Sequence, residues 1–76
     1  MWIKSQDKCT LINAKKFEIA DFPTLYKNAI WGDDNLLGEY STKEKALKVL
    51  DMIQSFINNE LIRDYMVFQM PQDDEV

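Results

Sequence analysis

The sequence has 76 residues, enough for one domain and too few for a second core, and a chain of that length buries only about 60% of the surface its unfolded form exposes. One cysteine and no histidine exclude an internal disulfide, a Ser-His-Asp triad and the commonest transition-metal ligand. A hydrophobic fraction of 46% beside a net charge of −4 excludes the disordered class and requires a core made of apolar side chains alone.

The first stretch, Met1 to Gln6, lacks the basic start, apolar run and small-residue cleavage site of a secretory leader. No later run approaches membrane-spanning length. With a lone Cys9, the expectation is a cytoplasmic protein that makes no membrane contact. Trp2-Ile3-Lys4-Ser5-Gln6 and Thr10-Leu11-Ile12-Asn13-Ala14 alternate around Asp7-Lys8, which predicts a hairpin. Cys9 beside that turn has no histidine to activate it and reads as a small turn residue.

Phe17 and Ile19 alternate with Lys16 and Glu18, a half-buried strand that Asp21-Phe22-Pro23 interrupts, because proline donates nothing to a ladder. Leu25 to Trp31 is the next predicted strand. Gly32-Asp33-Asp34-Asn35 has turn composition, and Leu36 to Tyr40 runs from it into a helix cap.

The helix is expected from Thr42 to Asn59, with Ser41 as its cap and Glu44 closing a capping box. Ala46, Leu47, Leu50, Ile53, Ile57 and Leu61 recur at spacings of three and four and define its buried stripe. Asn58-Asn59 supplies a left-handed stop. Val49 and Phe56 lie about 100° from the centre of that stripe, so a further group must cover them. The C-terminal segment of the same chain is the preferred cover and a second subunit the alternative. Val49, Phe56 and, farther round, Met52 are therefore the candidate interaction surface. Tyr65 to Met70 is a last strand, stopped by Pro71.

The predicted class is α+β. About four short strands form an antiparallel meander, one amphipathic helix packs on one face, and a C-terminal strand follows, in the order β-β-β-β-α-β. Residues 1–72 form the domain, and the acidic tail 73–76 is expected to fray. Trp2, Phe17, Tyr26, Trp31, Tyr40 and Phe68 are candidates for the layer between sheet and helix, with the inward parity left open.

Residues 1–30 hold five Lys and three acids, whereas residues 31–76 hold three Lys, one Arg and ten acids. Clustered cations are what phosphate backbones require, so this distribution argues against nucleic acid. The alternative is a single-strand binder that stacks bases on an aromatic and lysine sheet face, and it would use Trp2, Lys4, Lys8, Lys15, Lys16 and Tyr26. Asp33-Asp34, or Glu39 with Asp64, are the carboxylate pairs a small enzyme would use, but acids in such a turn ordinarily bind backbone. The turn also lacks the spacing of a calcium loop, and two glycines build no phosphate cradle. No catalytic, cofactor or metal residue is assigned.

Three segments carry a resemblance: Trp2-Ile3-Lys4-Ser5-Gln6-Asp7, the Leu-Gly-Glu-Tyr-Ser-Thr-Lys-Glu-Lys-Ala-Leu-Lys-Val-Leu-Asp-Met-Ile-Gln stretch at 37–54, and Val67-Phe68-Gln69-Met70-Pro71. Together they resemble small uncharacterised proteins of Gram-positive bacteria and their phages. The resemblance implies a stand-alone domain in a mobile-element or accessory context, and it brings no site to transfer. The functional expectation is a cytoplasmic protein–protein interaction or accessory module, homodimeric or with an unknown protein partner.

Overall fold

The computed structural model describes residues 1–20, 27–63 and 65–76. Its strands are β1 (Trp2–Lys4), β2 (Leu11–Asn13), β3 (Phe17–Ala20), β4 (Ala29–Gly32) and β5 (Asn35–Glu39); helix α1 (Lys43–Asn58) follows, then β6 (Val67–Gln69) and a turn of 3₁₀ helix at Asp73–Glu75. The α+β class and the order of strands, helix and closing strand stand as expected. The start of the strand expected from Leu25, with Tyr26, lies outside the described residues, as do the break at 21–23 and Asp64.

The strands divide into two sheets, ordered β2-β1-β6 and β3-β4-β5. The first joins the two ends of the sequence, because β1 pairs antiparallel with β2 and parallel with β6. Its alternation turns Ile3 and Phe68 inward and leaves Trp2 and Val67 outward. In the second sheet, β4 faces β5 through a register shift at Ile30/Trp31, where Leu37 is the extra residue of a bulge. Asp33 and Asp34 close that hairpin with φ of 47° and 70°, the mirror-image turn whose twist suits a tight hairpin. A Cβ on Gly32 would meet Leu37 Cδ1 at 2.7 Å and Ala14 Cβ at 3.2 Å, so the strand leaves no room there for a larger residue.

Helix α1 starts one residue later than its capping box implied. Thr42 is the cap, its hydroxyl accepting from Lys45 N–H at 3.1 Å. Ser41 is occupied elsewhere, since its N–H donates to Asp73 Oδ1 at 2.8 Å. The helix stops without a left-handed residue: Asn59 is extended, and its side chain accepts from Leu61 N–H at 2.9 Å.

The buried face of α1 is also turned from the expected stripe. Ala46, Val49 and Ile53 are buried, Phe56 packs on the same core, and Leu47, Ile57 and Leu61 are exposed. At 100° per residue this is a rotation of roughly 60°. Its cause lies in β6, where the Phe68 ring meets the Phe56 ring edge to face at 5.3 Å between centroids. The preferred cover for the helix flank is thus the one observed. Ile3, Ile30, Leu37 and Met70 join these helix residues in one buried cluster fed by both sheets.

The acidic end is docked. Asp73 Oδ2 lies 3.4 Å from Lys45 Nζ, which also donates to Asp73 O at 3.0 Å, and half-buried Val76 packs against the core. The tail expected to fray is thus held by hydrogen bonds from Ser41 and Lys45 and by the packing of Val76.

Candidate interaction surface

Two ends of the molecule differ in how far the chain satisfies itself. At one end Gln6 links both sheets. Its N–H donates to Leu37 O at 2.7 Å, its Nε2 donates to Glu39 O at 3.0 Å and Pro71 O at 3.3 Å, and its Oε1 accepts from Glu39 N–H at 3.0 Å. Its carbonyl accepts from Gln72 Nε2 at 2.7 Å. The side-chain amide so takes the place of a strand residue along the β5 edge. Tyr40 OH donates to Pro71 O at 2.8 Å in the core, and burial pushes the Tyr40 phenol up from its ordinary value. Beside this link, buried Ser5 accepts from Thr10 N–H at 3.0 Å and donates to Asp7, which also accepts from Cys9 N–H. Those bonds hold the Asp7 carboxyl below its usual range and fix a turn in which Lys8 has φ of 66°.

The opposite end is less closed, and its main cleft mixes apolar with polar lining. Met1, Trp2 and Asn13, Phe56 and Ile57 from α1, and Ile62, Arg63 and Met66 from the helix–strand link enclose a cleft of about 390 Å³. Around it Leu61 is 75% and Tyr65 78% exposed, large side chains that cover none of the chain's own core. Phe56 also lines a second, shallower cleft of about 390 Å³ beside β6, with Met52, Ser55, Asn59, Asp51 and Phe68. Phe56 therefore lines both depressions, and the one beside β6 is the more apolar. Arg63 supplies the side-chain charge of the first cleft, and its guanidinium donates to Glu60 O at 3.3 Å.

Of the expected interaction residues, Val49 is fully buried in the chain's own core and presents nothing outward. Phe56 is half-buried between the clefts, and Met52 is exposed beside it. The exposed apolar residues therefore lie around Phe56 and past the end of the helix. Leu61, expected in the helix stripe, and Tyr65 and Met66, expected in the last strand, fall instead between α1 and β6, and the apolar pairs Leu61-Ile62 and Tyr65-Met66 are unusual for a connecting segment.

The residues of the nucleic-acid alternative do not converge. Trp2 and Lys4 share the outer face of β1, but Lys8 sits in the turn beyond Lys4, whereas Lys15 and Lys16 follow β2 near the Trp2 end, where Trp2 faces Asn13. Tyr26 lies outside the described residues. The carboxylates fare no better as a reactive pair: Asp33 accepts from Lys16 N–H at 2.8 Å and from Lys15 N–H at 3.0 Å, bonds that hold its carboxyl low. Asp33 is thereby committed to joining the hairpin turn to the β2–β3 link.

Among the described residues no helix is long and apolar enough to cross a membrane, and no group of three or more His, Cys, Asp or Glu is placed to hold a metal ion. Compared with known proteins, the chain matches no family model, no curated protein and no solved structure. Function has to be argued from the surface itself.

Proposed function

We propose that the chain is a small cytoplasmic protein–protein interaction or accessory module whose contact surface is the apolar end around Phe56. The observation that carries this reading is that Phe56 lines both clefts, with exposed Ile57 in the first and exposed Met52 in the second, while Leu61 and Tyr65 in the adjoining link stand exposed. Exposed apolar side chains contribute nothing to folding, and a contiguous group of them is the usual mark of a protein contact. The residue types there supply contact area rather than proton transfer, which favours binding over catalysis.

The test is a photo-crosslinking amino acid placed at Tyr65 or Leu61 in the intact chain in cells, with Lys48, exposed on the helix, as the control position. Discrete protein adducts from 61 and 65 but not from 48 are expected. Equal labelling from all three positions, or none from any, overturns the reading.

A second reading keeps one observation of its own, the exposed Trp2 next to Lys4 on the outer sheet face, as on stacking platforms for single strands. Quenching of Trp2 fluorescence by oligonucleotides at low salt, lost as salt rises, would support it.

A further inference from the structure

We propose that the open edge of β6 pairs antiparallel with β6 of a second copy of this chain. This rests on the apolar end being a contact surface and names its occupant. Strand β6 is the outer strand of its sheet. Met70 N–H donates inward to Lys4 O at 3.0 Å, and alternation along a parallel ladder turns Phe68 the same way while directing the backbone of Val67 and Gln69 to the free side. With a two-fold axis at Phe68, Val67 stands opposite Gln69 of the partner subunit, and the reverse. The two pairs so formed are both of the hydrogen-bonded kind, so the edge is complementary to itself.

Free strand edges are ordinarily blunted by charge, proline, a bulge or a cover. Gln6 covers the β5 edge, Glu18 with Lys16 charges β3, and Lys15-Lys16 follow β2. The run 65–72, Tyr-Met-Val-Phe-Gln-Met-Pro-Gln, has no charge, so a self-pairing brings no like charges together although the chain as a whole is acidic. Val67 is exposed on this strand, and Met52 is exposed in the cleft that Phe68 lines. Pairing would join the two sheets into one across the axis, with Phe56 and Met52 of each copy over the seam.

Sedimentation of the intact chain at micromolar concentration is expected to give twice the chain mass of 9.0 kDa, and Met52→Glu is expected to weaken association at least tenfold with an unchanged circular dichroism spectrum. Register is tested separately by mixing Val67→Cys and Gln69→Cys chains, both carrying Cys9→Ser, under mild oxidation. A hydrogen-bonded antiparallel pair holds Cα atoms about 5.5 Å apart, within disulfide reach, so the mixed 67–69 link should dominate over either self-link. A species of single chain mass up to 100 micromolar, or a dimer without the mixed link, overturns the proposal. If that happens while positions 61 and 65 still crosslink to another protein, the contact surface stands and its occupant is a different chain.

Discussion

The end built around Gln6 and the end built around Phe56 are made from the same two sheets and the same helix, yet one is closed and the other is not. At the closed end every polar group of Gln6 has a partner within the chain, and the C-terminal turn is fastened to the helix start. At the open end Leu61 and Tyr65 stand in solvent beside a cleft lined by Phe56, Ile62 and Met66. A small domain has little stability to spare, so apolar side chains left outside the core point to a use beyond folding. The contrast makes a specific claim: substitutions at the closed end change stability, whereas those at the open end change association alone.

The largest effect is expected at the seam between the ends. Phe68→Ala removes the ring that covers Phe56 and holds the helix in its observed rotation, and it should cost about 3–4 kcal/mol in urea unfolding. A loss under about 1 kcal/mol would mean that the ring pair does not set the helix face. Next comes Gln6→Ala, which strips the β5 edge of its side-chain partner and leaves Glu39 N–H, Glu39 O and Pro71 O short of a bond. A destabilisation of about 2 kcal/mol is expected, with faster amide exchange at Glu39 as the local readout.

Tyr40→Phe should cost about 1 kcal/mol, less than Gln6→Ala because Pro71 O keeps the bond from Gln6. Its pH signature is more telling. The phenol is raised in the folded state above its ordinary value of 10.0, so the stability it contributes is complete below pH 10 and is lost as pH rises toward the folded value. The alkaline fall of the melting temperature should therefore flatten in Tyr40→Phe. The acid limb has the opposite sign. Asp33 and Asp73 are held below the ordinary 3.8, by the N–H groups of Lys16 and Lys15 and by that of Ser41 respectively, so their contribution is present above that value and disappears as pH falls through the folded ones. Asp73→Asn should lessen the acid-side loss and loosen the C-terminal turn.

These effects also mark what was legible in the sequence. The hairpin at Asp7-Lys8, the turn at Asp33-Asp34, the helix and the last strand follow from period and turn chemistry, which act within a few residues. The helix face was misread because Val49 and Phe56 are as apolar as Leu47 and Ile57, and only Phe68, twelve residues beyond Phe56, decides which pair is covered. The parallel joining of β1 to β6 and the role of Gln6 are longer-range still, as no local pattern records that a glutamine replaces a strand residue. The open end was only partly visible: Phe56 and Met52 were marked from the wheel, whereas period carried Leu61 into the helix and strand propensity carried Tyr65 and Met66 into the last strand, although α1 ends at Asn58 and β6 begins at Val67.

The smallest expected effect is the one that tests the contrast most directly. Tyr65→Ser and Leu61→Ser remove exposed apolar surface that contacts none of the buried cluster, so each should change folding stability by no more than about 0.5 kcal/mol in urea titration. Each change should weaken the crosslink captured from the other position, because exposed apolar surface is part of what such a contact buries. If either cost as much as Gln6→Ala, the apolar end would belong to the fold, and its exposed side chains would have to be covered by a part of the chain itself. A change neutral in both stability and association would instead leave the exposed residues without a role and remove the reason to place function there.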